Sequence, residues 1–480
     1  MRHITRLLAL SSLCLLPIAS GCGEDDDNPG GDAGSGNNSS GASGKGGTSG
    51  KGGKGGTSGN EGGSDTGKGG SDTGEGGNGG DGPVVECDLD NLTDGGDLPS
   101  TGTAAGGAVY TLNGRTEVTD SLTIEPCTKI LGDAQDDLLI VMPGAQLIAN
   151  GEPDAPIIFT SGEDQPAPGD WGGVILLGND VCNDATADTR CEVEGFATNP
   201  PQFGNTAEDA ISDESSGSLK YVRIEYSGVD LGLGSEINGL TLAGVGSGTT
   251  LSHIQIANTL DDCFEWFGGS VNADHLIAWN CGDDMFDTDS GFSGRVQFAF
   301  GRQLDTLTGD PNGFEMDTDS TVFDKAPIST PRFANVTLCG TPASTTNDPK
   351  VGAVLRRGTG GELVNVIITG FETAAWSVRD YPETAITLTG ATQWGNGAEY
   401  DSNLDADGTP TPTTWYSDQG NSSTEPEDFG DCFADPPAPF PAAAIPGETP
   451  TGHDDDSAEY QGAFEDENDN WMTGAWVSWD

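Results

Sequence analysis

From about residue 104 onward, apolar residues recur in short runs punctuated by Gly, Asn and Asp, with no sustained helical period. Such runs predict β-strands, and the strands are self-similar. Leu219, Val222 and Ile224 return as Leu251, Ile254 and Ile256. The pattern recurs with Leu276 and Ala278, Phe298 and Phe300, Val336 and Leu338, and Val366 and Ile368. The steps between copies are 32, 22, 22, 38 and 30 residues. Two inward residues at i and i+2, returning after turns of unequal length, describe the rungs of a parallel β-helix whose loops absorb the differences. An antiparallel sandwich needs hairpin turns at short regular spacing, and these are missing.

A second column keeps the same register. Asp261-Asp262-Cys263-Phe264-Glu265 is matched 22 residues later by Asp283-Asp284-Met285-Phe286-Asp287, and Gly313-Phe314-Glu315 follows 28 residues after that. If Phe264, Phe286 and Phe314 stack inward, strand alternation turns Glu265, Asp287 and Glu315 outward.

The first 84 residues break this pattern. Arg2, His3 and Arg6 precede an apolar stretch, Leu7 to Ile18, too short to span a bilayer comfortably. It ends in Ala19-Ser20-Gly21-Cys22, which resembles a bacterial lipobox and implies a signal peptide over 1–21 with Cys22 as the lipidated residue. Lacking Asp directly after Cys22, the segment is similar to those of lipoproteins sent to the outer membrane, facing either the periplasm or the cell surface. That lipid is the only membrane attachment expected. Residues 22–84 are built from Gly-Gly, Ser-Gly and Asp-Thr-Gly units that cannot bury apolar surface, so a disordered tether is expected there. As a flexible coil it would reach roughly 45 Å. Residues 85–480 then form the β-helix domain, closing in an aromatic segment.

Composition narrows the partners. The chain carries 77 acidic against 19 basic residues, a formal charge of −58. That balance excludes nucleic acid, which demands clustered Lys and Arg, and it disfavours docking on anionic lipid. Eight cysteines lie beyond Cys14 and Cys22: Cys87, Cys127, Cys182, Cys191, Cys263, Cys281, Cys339 and Cys432. An even number in an exported chain without Cys-x-x-Cys reads as four disulfides, with sequential pairing the simplest arrangement.

Several stretches resemble a family of bacterial surface lipoproteins. They include Leu122-Thr123-Ile124-Glu125-Pro126, Gly169-Asp170-Trp171-Gly172-Gly173, Ser218-Leu219-Lys220-Tyr221-Val222 and Phe264-Glu265-Trp266-Phe267-Gly268-Gly269. Gly462-Ala463-Phe464 with Trp471, Trp476 and Trp479 belongs to the same likeness. The resemblance implies a right-handed parallel β-helix of the pectin-lyase-like fold at the cell surface, and it carries no settled activity.

Carboxylates on adjacent rungs stand ~4.8 Å apart, and each such pair costs roughly 3 kcal/mol at an effective dielectric of about 20. Glu265, Asp287 and Glu315, with Asp289, Asp317 and Asp319 beside them, therefore make a candidate calcium site, because calcium takes six to eight oxygens in flexible geometry. A solvated acidic face is the alternative. Asp261-Asp262-Cys263 and Cys281-Gly282-Asp283-Asp284 also resemble the Asp-Asp-Cys region of polygalacturonases, which makes Asp261, Asp262, Asp283 and Asp284 candidate hydrolytic carboxylates. Gly282-Asp283-Asp284 stands where those enzymes have Gly-His-Gly, and their Arg-Ile-Lys is absent, so a polysaccharide-active enzyme ranks second to a binding or structural protein. Arg295 and Arg302, one rung away in this register, and Arg356-Arg357 read as partners for carboxylates. His253 and His275, with Tyr221, Gln297, Asn335 and Asn365, form an outward polar column suited to a glycan or to another surface component.

Overall fold

The computed structural model describes residues 87–196, 198–230, 236–305, 311–341, 350–380, 384–401 and 414–480. The expected signal peptide over 1–21, Cys22 and the Gly-rich stretch lie outside the described residues.

Why these residues form a helix of strands follows from the register. Strands Gly217–Glu225, Thr250–Ala257, Asn272–Trp279, Arg295–Arg302, Arg332–Cys339 and Glu362–Thr369 pair in parallel as successive members of a 15-stranded sheet. Shorter strands that alternate with them, Leu240–Ala243, Phe264–Phe267, Phe286–Asp289, Phe314–Met316, Val351–Leu355 and Ala374–Val378, belong to a parallel 9-stranded sheet. The chain alternates between the two sheets once per turn. This is a parallel β-helix, and a single helical turn, Trp415–Asp418, is the only α-element among the described residues.

The inward columns are continuous. Val222, Ile254, Leu276, Ala299, Val336 and Val366 align across six rungs, as do Ile224, Ile256, Ala278, Gly301, Leu338 and Ile368. Here the structure corrects the sequence register by one residue: Ala299 and Gly301 point inward, not Phe298 and Phe300. Packing explains the small residues. A Cβ on Gly301 would meet Met285 Sδ at 2.4 Å and Leu338 Cδ2 at 2.9 Å, so neighbouring side chains already fill that volume.

Phe300 misleads because the outer face of the longer sheet is also buried. Residues 440–480 run back along it, and Phe300, Ile277, Trp279 and Ala257 pack against Phe464, Met472 and Trp476. The aromatic closing segment thus covers a flank. Each long strand is bent midway by one residue at positive φ: Tyr221, His253, His275, Phe298, Asn335 and Asn365. These six form the true column at that position. Gln297 instead aligns with Asp274. The column is not a solvated face: Asn335 Nδ2 donates to Tyr460 O and Asn365 Nδ2 to Glu448 O, both at 2.7 Å.

All eight cysteines pair in sequential order: Cys87–Cys127, Cys182–Cys191, Cys263–Cys281 and Cys339–Cys432. The last ties the chain just ahead of the returning segment to a rung 93 residues earlier, which is a large loop to close and a correspondingly large restriction of the unfolded chain.

Candidate metal centre

The second column matches its expected register. Phe264, Phe286 and Phe314 stack inward with ring centroids 5.5 and 5.8 Å apart. Glu265, Asp287 and Glu315 are adjacent on successive strands and face outward. Ahead of each strand, the connecting turn delivers Asp261 and Asp262, then Asp283 and Asp284.

Outward does not mean exposed. Asp261, Asp262, Glu265 and Asp284 are all buried, and Asp283, Asp287 and Glu315 are partly covered. Cover comes from a part of the chain far away in sequence. The loop closed by Cys182–Cys191 lies over the shorter sheet through Cys182, Cys191, Val193 and Phe203, with Val229 and Ile237 beside them. It brings Glu194 into hydrogen-bonding reach of Glu265, and Asn238 Nδ2 donates to Glu265 Oε2. Glu236 adds its charge to Asp261 and Glu194. The sequence reading missed Glu194 and Glu236, because no periodicity links a loop to the strand it covers; it also missed Asn238, which stands two residues ahead of Leu240 as Asp262 stands ahead of Phe264. For Glu194 the signal available was the acidic run Glu192-Val193-Glu194 directly after Cys191, and for Asn238 the rung register itself.

Three interlocking triads result. Asp261, Asp262 and Asp283 each place an oxygen within 4.8 Å of the others, as do Asp262, Glu265 and Asp287, and Asp284, Asp287 and Glu315. Burial first, then mutual repulsion, pushes the carboxyls of Asp261, Asp262, Glu265, Asp284 and Asp287 well above the ordinary carboxylate range. Glu194 is raised to about 7 by the same two causes. Burial also raises Glu315 to about 7, although Arg356 opposes the rise. Two oxygens, Asp261 Oδ2 and Asp287 Oδ1, are buried with no hydrogen-bond partner among the described residues.

The remaining candidates are already satisfied. Arg356 Nε and Arg357 Nη1 reach Asp317 at 3.0 and 2.6 Å, and Arg356 also pairs with Glu315. Lys325 Nζ meets Asp319 at 2.5 Å, and that carboxylate also accepts from Thr321 N and Val322 N. Asp289, Asp317 and Asp319 fall outside the triads, so the six-residue ligand set read from the sequence is not a single cluster. Arg295 and Arg302 lie on the longer sheet, where they bond Gly452 O and the carbonyls of Gln303 and Gly340. They do not neighbour the ladder.

The four candidate hydrolytic carboxylates divide in the same way. Asp262 Oδ1 accepts from Asp284 N at 2.7 Å and Asp284 Oδ1 from Asn312 N at 3.0 Å, so each fastens its turn to the next. Asp261 and Asp283 complete the first triad. Its nearest oxygens are closer than the ~6.5–9.5 Å that an inverting pair leaves for sugar and water. The geometry can instead surround a hard cation: oxygens up to 4.8 Å apart are bridged by one ion at 2.3–2.6 Å from each.

Stacked parallel strands wound through two sheets define a β-helix protein, here with carboxylates gathered on one face. More narrowly, residues 96–402 match the family described as the pectate-lyase like beta helix domain, and the chain belongs to that family. No curated protein matches the chain. Among solved structures it is similar to the catalytic domain of a GH87 α-1,3-glucanase in complex with tetrasaccharides, at 12% identity and a TM-score of 0.25, over 66% of this chain and 64% of that one. It is also similar to the Dettilon tailspike protein, at 10% identity and a TM-score of 0.21, over 62% of each chain. The chain thus spans less than two-thirds of the length of either.

Proposed function

We propose that this protein is an exported, lipid-anchored β-helix with a binding or structural role at the cell envelope, and that calcium held by the carboxylate triads stabilises it. What carries the calcium reading is the pair of orphaned oxygens, Asp261 Oδ2 and Asp287 Oδ1, inside a covered cluster. A buried carboxylate without a partner costs several kcal/mol, and a cation supplies both the missing contact and the missing charge. Glu265, Asp287, Asp261, Asp262, Asp283 and Asp284 would supply the ligands. Glu315 is shared with Arg356, and Asp289, Asp317 and Asp319 stand apart. The anchor reading rests on the lipobox-like segment ending in Cys22.

Thermal melts in chelator and in millimolar calcium test the metal, at physiological salt so that diffuse screening is equal. Calcium at a hundred times its dissociation constant adds about 2.7 kcal/mol of stability. Asp287→Asn is expected to blunt that response while relieving repulsion, so the variant outlasts the parent in chelator and loses to it in calcium. Superimposable melts of the parent protein in the two conditions refute the site.

A further inference from the structure

On the longer sheet, away from the triads, the returning segment leaves a cavity of about 360 Å³. Three rings, Phe298, Tyr460 and Trp471, and three carboxylates, Asp455, Glu465 and Asp469, line it. His275 forms part of the wall and holds the rings in place, its own ring 5.0 Å from both Phe298 and Trp471. No Lys or Arg lines the cavity.

The carboxylates are only partly used by the fold. Asp455 Oδ1 accepts from Ser457 N and Oγ. Asp469 Oδ2 takes Glu465 N at 2.9 Å and the Tyr460 hydroxyl at 3.4 Å. The Asp455 and Asp469 oxygens opposite these, and both oxygens of Glu465, make no hydrogen bond among the described residues. Their fields converge on one place: after burial, Asp469, Glu465 and Asp455 together raise the Tyr460 hydroxyl above its ordinary value.

Two ligand classes fail here. An anion meets three negative charges. A bare metal ion needs ligands it can span at once, and the three carboxylates do not form such a group among the described residues; the wall residue His275 groups instead with His253 and Asp274, to which its Nδ1 is hydrogen-bonded at 2.6 Å. An organic ammonium satisfies both halves of the lining, with its charge facing the carboxylates and its C–H surface lying on aromatic faces.

We propose that this cavity binds an alkylammonium group, carried either by an amino sugar or by a lysine side chain. The site is separate from the triads, so it stands or falls independently of the calcium reading.

The test uses the full chain with calcium present at physiological salt, titrated by calorimetry with four probes: an N-acetyl-lysine amide, its Nε-acetylated form, glucosamine and glucose. Saturable binding of at least one ammonium probe is expected, about tenfold tighter than its uncharged counterpart. Which ammonium probe binds identifies the source. Glu465→Gln, at an exposed side chain free of internal hydrogen bonds, should weaken that binding several-fold without moving the melting temperature. Phe298→Leu should weaken it too while sparing the charges. Three results overturn the proposal: equal affinity for charged and uncharged probes, no saturable binding by either ammonium, or undiminished binding in Glu465→Gln.

Discussion

Lowering the pH should stabilise the calcium-free protein, contrary to the usual behaviour of carboxylates engaged in ion pairs. Glu194 has a folded-state pKa of about 7 against an ordinary 4.5, and Asp289 about 6 against 3.8. A raised pKa means that the folded chain holds the proton more tightly than the unfolded one. The stabilisation is complete below the unfolded values, near pH 4, and is lost as pH rises through about 6 to 7. For Glu194 alone, moving from 4.5 to about 7 corresponds to roughly 3 kcal/mol once it is fully ionised. The cluster as a whole loses less than a sum over its members, because neighbouring carboxyls release protons in linked steps. Denaturant midpoints in chelator, followed by tryptophan fluorescence, should therefore fall between pH 5.5 and pH 8. Calcium should flatten the slope by replacing the protons. General repulsion in a chain of charge −58 acts in the same direction, so the decisive comparison is Glu194→Gln. That variant removes one ionisation and should hold its midpoint better at pH 8 in chelator. A parent midpoint that does not change between the two pH values, or a Glu194→Gln slope identical to the parent's, refutes the reasoning.

Other outcomes can be checked separately. Cys22→Ser should release the chain from membranes or leave it unprocessed, as seen by fractionation after a high-salt wash; a variant still bound to membrane argues against the lipid. Phe286 is fully buried between Phe264 and Phe314, so Phe286→Ala should cost about 3–5 kcal/mol in denaturant titrations. Arg356→Met leaves Glu315 without its nearest cation and Asp317 with Arg357 alone; it should lower stability by about 3–5 kcal/mol in chelator and by less in calcium.

The parts of this fold that could be read from sequence are those where geometry acts on residues close together in the chain. Phe264, Phe286 and Phe314 were placed correctly because strand alternation and the repeated acid–aromatic–acid motif leave one register. The same reasoning slipped at Phe298 and Phe300, where one extra residue enters the turn and both faces of the strand are apolar. With Phe464 packed outside and Ala299 inside, alternation between apolar and polar no longer marks which face is which. The carboxylates were found for the same local reasons, yet their burial was not. It depends on Glu194, which arrives from another loop, and on Asn238 from the turn of the preceding rung. Sorting the acids into triads and ion pairs also depended on Arg356, Arg357 and Lys325, whose partners only the fold reveals.

The returning segment constrains how this protein can be made. A solenoid can ordinarily harden turn by turn as it emerges, each rung resting on the one before. Here Trp476 N bonds Pro153 O, and Asn258 Nδ2 donates to Asp480 O. The rungs thus keep a greasy flank uncovered until roughly two hundred further residues have been synthesised. A premature stop late in the message, sparing every rung, would still yield a protein with Phe300, Ile277 and Trp279 bare. Such a product should attract chaperones and proteases, so the returning stretch acts as a seal: only a chain made through to Trp476 and Trp479 hides its flank.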